Sequence, residues 1–223
     1  MVDWSPHVAR EKRRYRDGLE RLPSDPDARQ RQLVRAANAA CGAGLTLLMA
    51  GASEDARDWL ARAAERYEES YEGAPPGSYG RLIAAMKMRL LAGDLAGARE
   101  AARRTLAEGT AGTASPIGRY AACLAALVLE DDPSASRLAA GLRAEPGDAF
   151  PAPVATALAG LAGGDADLYR QGLEATLASF EQRRDYLEDV PVADTVLVLE
   201  ELARPRDLRV RPRSAVLPRD PQG

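Results

Sequence analysis

The sequence predicts an all-α protein of about ten helices, folded as antiparallel hairpins. Three observations predict it. Apolar residues recur at helical spacing along the chain, and no segment alternates apolar and polar residues long enough to make a strand. Ser-Pro or Asp-Pro pairs punctuate the sequence where helices should begin. A helix–turn–helix pattern then repeats along the chain.

Ser5-Pro6 opens the first helix, with Ser as the expected cap, and Trp4, Val8, Tyr15, Leu19 and Leu22 form its apolar stripe. Leu22-Pro23-Ser24-Asp25-Pro26 breaks it, and Asp25-Pro26 starts the next. That second helix runs to about Ala50 and is apolar nearly all round from Ala36, so it should be central. Ser53 is the expected cap of a third helix with the stripe Leu60, Ala64, Tyr67 and Tyr71; Gly73 to Ser78 then forces a turn. Further helices are expected near 78–92, 95–108, 116–130, 133–144, 151–162, 166–187 and 191–203. Ser115-Pro116 and Asp132-Pro133 repeat the cap-plus-proline start. The domain should span 1–204, and the Arg/Pro-rich segment 205–223 should be extended or disordered.

The repeat is visible when Tyr79-Gly80-Arg81-Leu82 is aligned with Ile117-Gly118-Arg119-Tyr120, an offset of 38 residues that continues to Arg99/Arg137. Further copies bring the arginine back at Arg57 and Arg170. Each unit reads as helix, Gly/Asp corner, helix. One hairpin cannot hide its own apolar face, so neighbours must stack. Leu91-Ala92-Gly93-Asp94-Leu95-Ala96-Gly97-Ala98-Arg99 resembles the tetratricopeptide repeat, although its aromatic positions are mostly missing. A compact bundle satisfies the same requirement; a tetratricopeptide-like array is the preferred reading.

In the 223 residues, 46% are apolar, 28% charged and 5% aromatic. Thirty Lys+Arg against 33 Asp+Glu leave a net charge of −3, which argues against a general nucleic-acid or membrane-surface binder. No signal peptide opens the sequence, and no apolar run is long enough to span a bilayer, so the cytoplasm is the expected location.

Chemistry is sparse. His7 is the single histidine, and Cys41 and Cys123 sit in alanine-rich stretches as small buried thiols, so no metal or cofactor site is expected. Gly42-Ala43-Gly44 lies inside a helix, and the pairs Asp131-Asp132 and Glu188-Asp189 fall at helix boundaries, where capping explains them. The expectation is a non-enzymatic protein.

Binding has more to stand on. Glu65, Glu68, Glu69 and Glu72 form an acidic ridge suited to a basic partner, or a solvated face. Tyr67, Tyr71 and Tyr79 gather around the proline turn beside Arg81, and Tyr and Arg favour interfaces, though Tyr67 and Tyr71 also read as core. Arg81 and Arg119, matched by the repeat, would line one face of an array. The candidate partner-binding set is Glu68, Glu69, Glu72, Tyr79, Arg81 and Arg119. Arg10, Lys12, Arg13, Arg14 and Arg16 form a basic patch on the first helix.

The last third carries Leu161-Ala162-Gly163-Gly164-Asp165, an amphipathic helix through Leu168, Leu173, Leu177 and Phe180, then Leu199-Glu200-Glu201-Leu202 and Ser214-Ala215-Val216-Leu217-Pro218. Over roughly 155–219 this resembles the immunity 49 family of bacterial polymorphic toxin systems. Arg204-Pro205-Arg206-Asp207 stands where a glycine-containing turn is expected. The resemblance implies a cytoplasmic inhibitor that binds a toxin domain and supplies no catalytic residues. The leading expectation is therefore a helical-repeat protein that binds a protein or peptide, with a homo-oligomer also open. The alternative is a regulatory or ligand-sensing helical domain.

Overall fold

The structure is a computed structural model that describes residues 3–219; residues 220–223 of the Arg/Pro-rich tail lie outside the described residues. It is all-α. Ten helices run in order: α1 Ser5–Glu20, α2 Pro26–Met49, α3 Ser53–Glu72, α4 Tyr79–Leu91, α5 Leu95–Ala107, α6 Pro116–Val128, α7 Asp132–Arg143, α8 Ala152–Gly163, α9 Ala166–Glu181 and α10 Asp194–Ala203. Short 3-10 turns lie at Thr110–Gly112, Leu187–Asp189 and Arg204–Arg206, and there is no strand among the described residues.

Two compact units divide the chain. The first holds residues 3–94, 183–194 and 213–219, and the second holds 95–182 and 195–212. In the first unit α1 packs on α2, α2 on α3 and α3 on α4; in the second, α5 to α9 pack in the same consecutive way. Within each unit, α1 to α4 and α5 to α9 thus lend their apolar faces to their neighbours in sequence, as an array requires.

Helix starts follow the chemistry of the caps. Asp25 accepts from the Ala28 amide at 2.8 Å, and Ser115 from the Gly118 amide at 3.3 Å. Ser5 and Ser53, expected as caps, instead occupy the first helical position; Trp4 and Ala52 precede them without a side-chain bond. Asp3 takes the Ser5 amide at 3.0 Å, supplying the missing acceptor from outside the first helix.

Four corners share one geometry. Gly51, Gly93, Glu130 and Gly164 all take positive φ, between 61° and 78°. The next residue in each case sends its amide back five residues, as Ala52 to Leu47, Asp94 to Arg89, Asp131 to Ala126 and Asp165 to Gly160, at 2.9–3.0 Å. This double-bonded reversal satisfies carbonyls that the helix end would leave unpaired. The repeat is therefore real at the level of backbone, with one change of register. α4 and α6 begin 37 residues apart, and so do the corner residues Gly93 and Glu130. The 38-residue offset fits Arg99/Arg137 because the third corner carries one extra residue before its arginine.

The cores are alanine seams. Ala36, Ala37, Ala39, Ala40 and Ala43 of α2 are buried, and a Cβ at Gly44 would lie 2.7 Å from Leu60, so α2 and α3 approach closely. In the second unit α8 and α9 come closer still: a Cβ at Gly160 would meet the Tyr169 backbone nitrogen at 2.3 Å.

Expected helix 166–187 stops at Glu181. Phe180 is the last buried residue of its stripe, and Gln182 to Asp185 are exposed, so nothing further rewards continuing. The helix expected from 191 begins at Asp194, because Val190, Val192 and Ala193 are buried in extended chain and the Ala193 amide bonds to Val216 O at 2.9 Å. Asp207, at φ 56°, supplies the left-handed residue in the Arg204–Asp207 turn. The segment from Val210 on is irregular, and its Val216 and Leu217 are buried.

Candidate functional site

In the first unit an open groove of about 390 Å³ lies between α2 and α4, above α3. Val34 and Asn38 form one wall, Gly80, Arg81 and Ala84 the other; Tyr67 forms the floor and Ser78 one end. α2 and α4 are each the first helix of a hairpin. Val34 and Asn38, four residues apart, share a face of α2, and Gly80 and Ala84 share a face of α4.

The polar edge of this groove is positioned rather than loose. The Tyr67 hydroxyl donates to Asn38 Oδ1 at 2.7 Å. That bond fixes the amide, whose N–H groups have no partner among the described residues. Burial pushes the Tyr67 hydroxyl well above its ordinary range, and the charges of Asp194 and Glu188 add to the shift. Tyr67 therefore stays a neutral donor at physiological pH. Arg81 donates to the Ser70 carbonyl and to Gln30 Oε1, which holds its stem against the wall; burial lowers its pKa from the ordinary guanidinium range, and it remains a cation at neutral pH. No carboxylate lines the groove.

Beyond the groove, along the same two helices, lies a charged cluster. Glu11 of α1 is fully buried and accepts from Arg10 Nε at 2.6 Å and from Arg14 Nη1 at 3.0 Å. Arg14 also pairs with Glu188, and Arg10 donates to the Glu188 carbonyl. Glu188 and Asp189 both take positive φ, and Glu188 leans on α2 at Gly42, where a Cβ would lie 3.2 Å from both Glu11 and Glu188. Lys87 of α4 pairs with Asp194. Glu188 and Asp189 thus hold charge partners distant in sequence, where capping was the sequence-based explanation.

Of the candidate partner-binding set only Arg81 lines the groove, and Tyr67, marked beside it as interface or core, forms the floor. Tyr79 sits half-buried at the start of α4 between two lining residues, and is not itself a lining residue. The acidic ridge is largely consumed internally. Glu68 receives both Nε and Nη2 of Arg89, at 3.1 and 2.8 Å, and Glu69 pairs with Arg66 at 2.6 Å and Arg29 at 3.2 Å. Glu72 is exposed, with no ion pair or hydrogen bond among the described residues. Arg119 belongs to the second unit, where it binds Glu145 and the Ala114 carbonyl. The one-residue change of register separates it from Arg81: Gly118, not Arg119, stands at the matching place in α6.

Val34, Asn38 and Ala84 went unmarked in the sequence, because α2 is apolar nearly all round and its periodicity singles out no face. The Asn38–Tyr67 spacing carries no local signal either.

Both cysteines are buried. Desolvation pushes each thiol up to about 12, so both are protonated at neutral pH, the opposite of an activated nucleophile. His7 is half-buried, edge-on to Trp4 at 5.9 Å. Among the described residues no three of His, Cys, Asp and Glu converge as metal ligands, and no helix is long and apolar enough to cross a membrane. Compared with protein-family models, with curated proteins and with solved structures, the chain matches none.

Proposed function

We propose that this chain is a non-enzymatic helical-repeat protein that binds a protein or peptide partner in the groove between α2 and α4. The observation that carries the reading is the groove itself. It has apolar walls from the first helices of two hairpins and a small set of fixed donors, led by Asn38 clamped by Tyr67. Concave, mostly apolar sites with a few oriented polar groups are the usual form of a recognition site. Asn38 offers N–H groups suited to a main-chain carbonyl, and Arg81 adds a cation at the rim.

A random peptide display selection on the full chain tests this, run beside the variant Gly80→Trp. A Cβ at Gly80 meets nothing within 4 Å, so the indole fills the groove without disturbing the helix behind it. Peptides should enrich on the wild type and vanish on the variant. Equal enrichment on both, or none on either, would defeat the reading. The resemblance of residues 155–219 to the immunity 49 family gives the proposal a narrower form, in which the partner is a toxin domain. Rescue of cells expressing a toxin encoded beside this protein, lost with Gly80→Trp, is the matching experiment.

A further inference from the structure

The open groove is one half of a longer trough, and the first unit fills the other half with its own chain. On α2, Val34 and Asn38 are followed on the same face by Cys41; on α4, Gly80 and Ala84 are followed by Lys87. Where the groove is open, these faces are bare. Where it is closed, Leu187–Asp189 packs on α2, with Glu188 against Gly42, and Asp194 pairs with Lys87 of α4; the segment reads Leu-Glu-Asp-Val-Pro-Val-Ala-Asp. This occupant is an irregular, acidic segment held by two kinds of contact. Its carboxylates pair with three cations: Glu188 with Arg14 and Asp189 with Arg10 at 3.5 Å, both on α1, and Asp194 with Lys87 on the α4 wall. Its small apolar residues, Val190, Val192 and Ala193, are buried. Tyr67 joins the two halves, since it lines the open groove and feels the charges of both Glu188 and Asp194.

The open half likewise joins a cation to uncharged walls, with no carboxylate of its own. Its single charged lining residue is Arg81, its other lining residues are uncharged (Val34, Gly80 and Ala84 apolar, Asn38, Tyr67 and Ser78 polar), and the first turn of α4 adds the positive end of a thirteen-residue helix. We infer that the partner segment is an extended acidic peptide rich in small aliphatic residues, bound in the open half of the trough as the chain's own 187–194 is bound in the closed half. This rests on the proposed binding function and names the chemistry of the partner.

Gly80 gives a clean test, because any side chain there projects into free space. Ten-residue synthetic peptides of Val, Pro and Ala carrying four Asp/Glu, four Gln or four Lys are titrated against the full chain by fluorescence anisotropy. Wild type is compared with Gly80→Glu, Gly80→Gln and Gly80→Lys. The acidic peptide should bind wild type at least tenfold tighter than the Gln or Lys peptide. Gly80→Glu should weaken it at least tenfold relative to Gly80→Gln, and Gly80→Lys should strengthen it. Gln or Lys peptides that bind as well, and are still blocked by Gly80→Trp, would overturn the acidic preference while leaving groove binding intact. An acidic peptide whose affinity ignores every Gly80 variant would overturn the site, placing binding elsewhere, for instance at Lys12 and Arg62, which lie 5.2 and 5.3 Å from the Trp59 ring centroid. No binding by any of the three peptides also overturns the inference, whatever the display selection returns.

Discussion

Glu200 accepts the Tyr169 hydroxyl at 2.8 Å inside the second unit. The same carboxylate takes the amides of Val210 at 3.1 Å and Arg211 at 2.7 Å. One buried side chain thus ties α9 and α10 to the segment that follows them, and it accepts from two part-buried amides of irregular chain that have no ladder partner.

Glu200→Ala should therefore cost more than a single hydrogen bond. It leaves the Tyr169 hydroxyl and two backbone amides without an acceptor, on the order of 3 kcal/mol. Denaturant unfolding measures that loss. Trypsin should cut faster at Arg209 and Arg213 in the variant, and an unchanged cleavage rate would show that Glu200 does not hold this segment.

The repeated corner makes a paired prediction. A left-handed conformation costs a non-glycine residue about 1–2 kcal/mol, partly offset by the unfolded-state entropy that glycine adds. Gly93→Ala should destabilise by about 0.5–1 kcal/mol, and Glu130→Gly should stabilise by a similar or smaller amount. The exposed pair that Glu130 forms with Arg99 at 2.6 Å subtracts little. Shifts of the same sign for both would contradict the shared corner geometry.

That corner also shows what the sequence reveals and what it hides. The Gly-Asp steps at Gly93 and Gly164 announce a reversal, whereas Glu130 in the same conformation has no compositional mark. Helices and most boundaries are readable because caps and apolar stripes are local. Asp25 and Ser115 cap as their positions suggest, yet Ser5 and Ser53 do not, since one more residue of helix forms ahead of each. The groove is only partly readable. Arg81 stands out beside a proline turn, but Asn38 is one polar residue on an all-round apolar helix. Glu188 meets Arg14 from 174 residues away, and no local pattern encodes such a pairing.

The closest helix approach is the most sensitive place in the second unit. A Cβ at Gly172 would lie 2.3 Å from the Ala157 backbone nitrogen, and one at Gly160 equally close to that of Tyr169. Alanine normally improves a helix by about 1 kcal/mol over glycine. Here Gly160→Ala and Gly172→Ala should reverse that sign, because the obstruction is backbone and cannot swing away. The loss should reach the upper end of the roughly 1–3 kcal/mol seen for overpacking, or exceed it. Gly163→Ala, with nothing within 4 Å, is the control and should cost little. Thermal denaturation of the three variants distinguishes a packing constraint from simple helix propensity.

Alkaline pH should unfold the protein through its thiols. The ordinary thiol value is 9.0, and burial raises Cys41 and Cys123 to about 12. Above pH 9 the unfolded chain loses these protons while the folded chain keeps them, so stability falls as pH rises, until the folded thiols titrate as well. For two such groups the loss between pH 8 and pH 10 is about 3 kcal/mol. Denaturant unfolding under reducing conditions should show that slope. The double variant Cys41→Ala/Cys123→Ala should remove most of it, whatever its stability at pH 8.

Glu11 has no exposure, while Arg10 and Arg14 keep 40% and 48% of their side chains in water. The pairing is therefore asymmetric. Removing the carboxylate leaves two guanidinium groups that turn to solvent or stay on Glu188, so Glu11→Gln should cost only about 1 kcal/mol. Removing both cations leaves a buried carboxylate uncompensated, and Arg10→Met/Arg14→Met should cost about 3–5 kcal/mol. Those same arginines hold the Glu188–Asp189 turn, so the loss has two candidate sources. Adding Glu11→Leu to the double variant separates them: it removes the stranded charge but cannot restore the turn. If the buried carboxylate dominates, the triple variant recovers most of the lost stability in denaturant unfolding. If the turn dominates, it recovers almost none, and Arg10 and Arg14 are anchors of the 187–194 segment first and partners of Glu11 second.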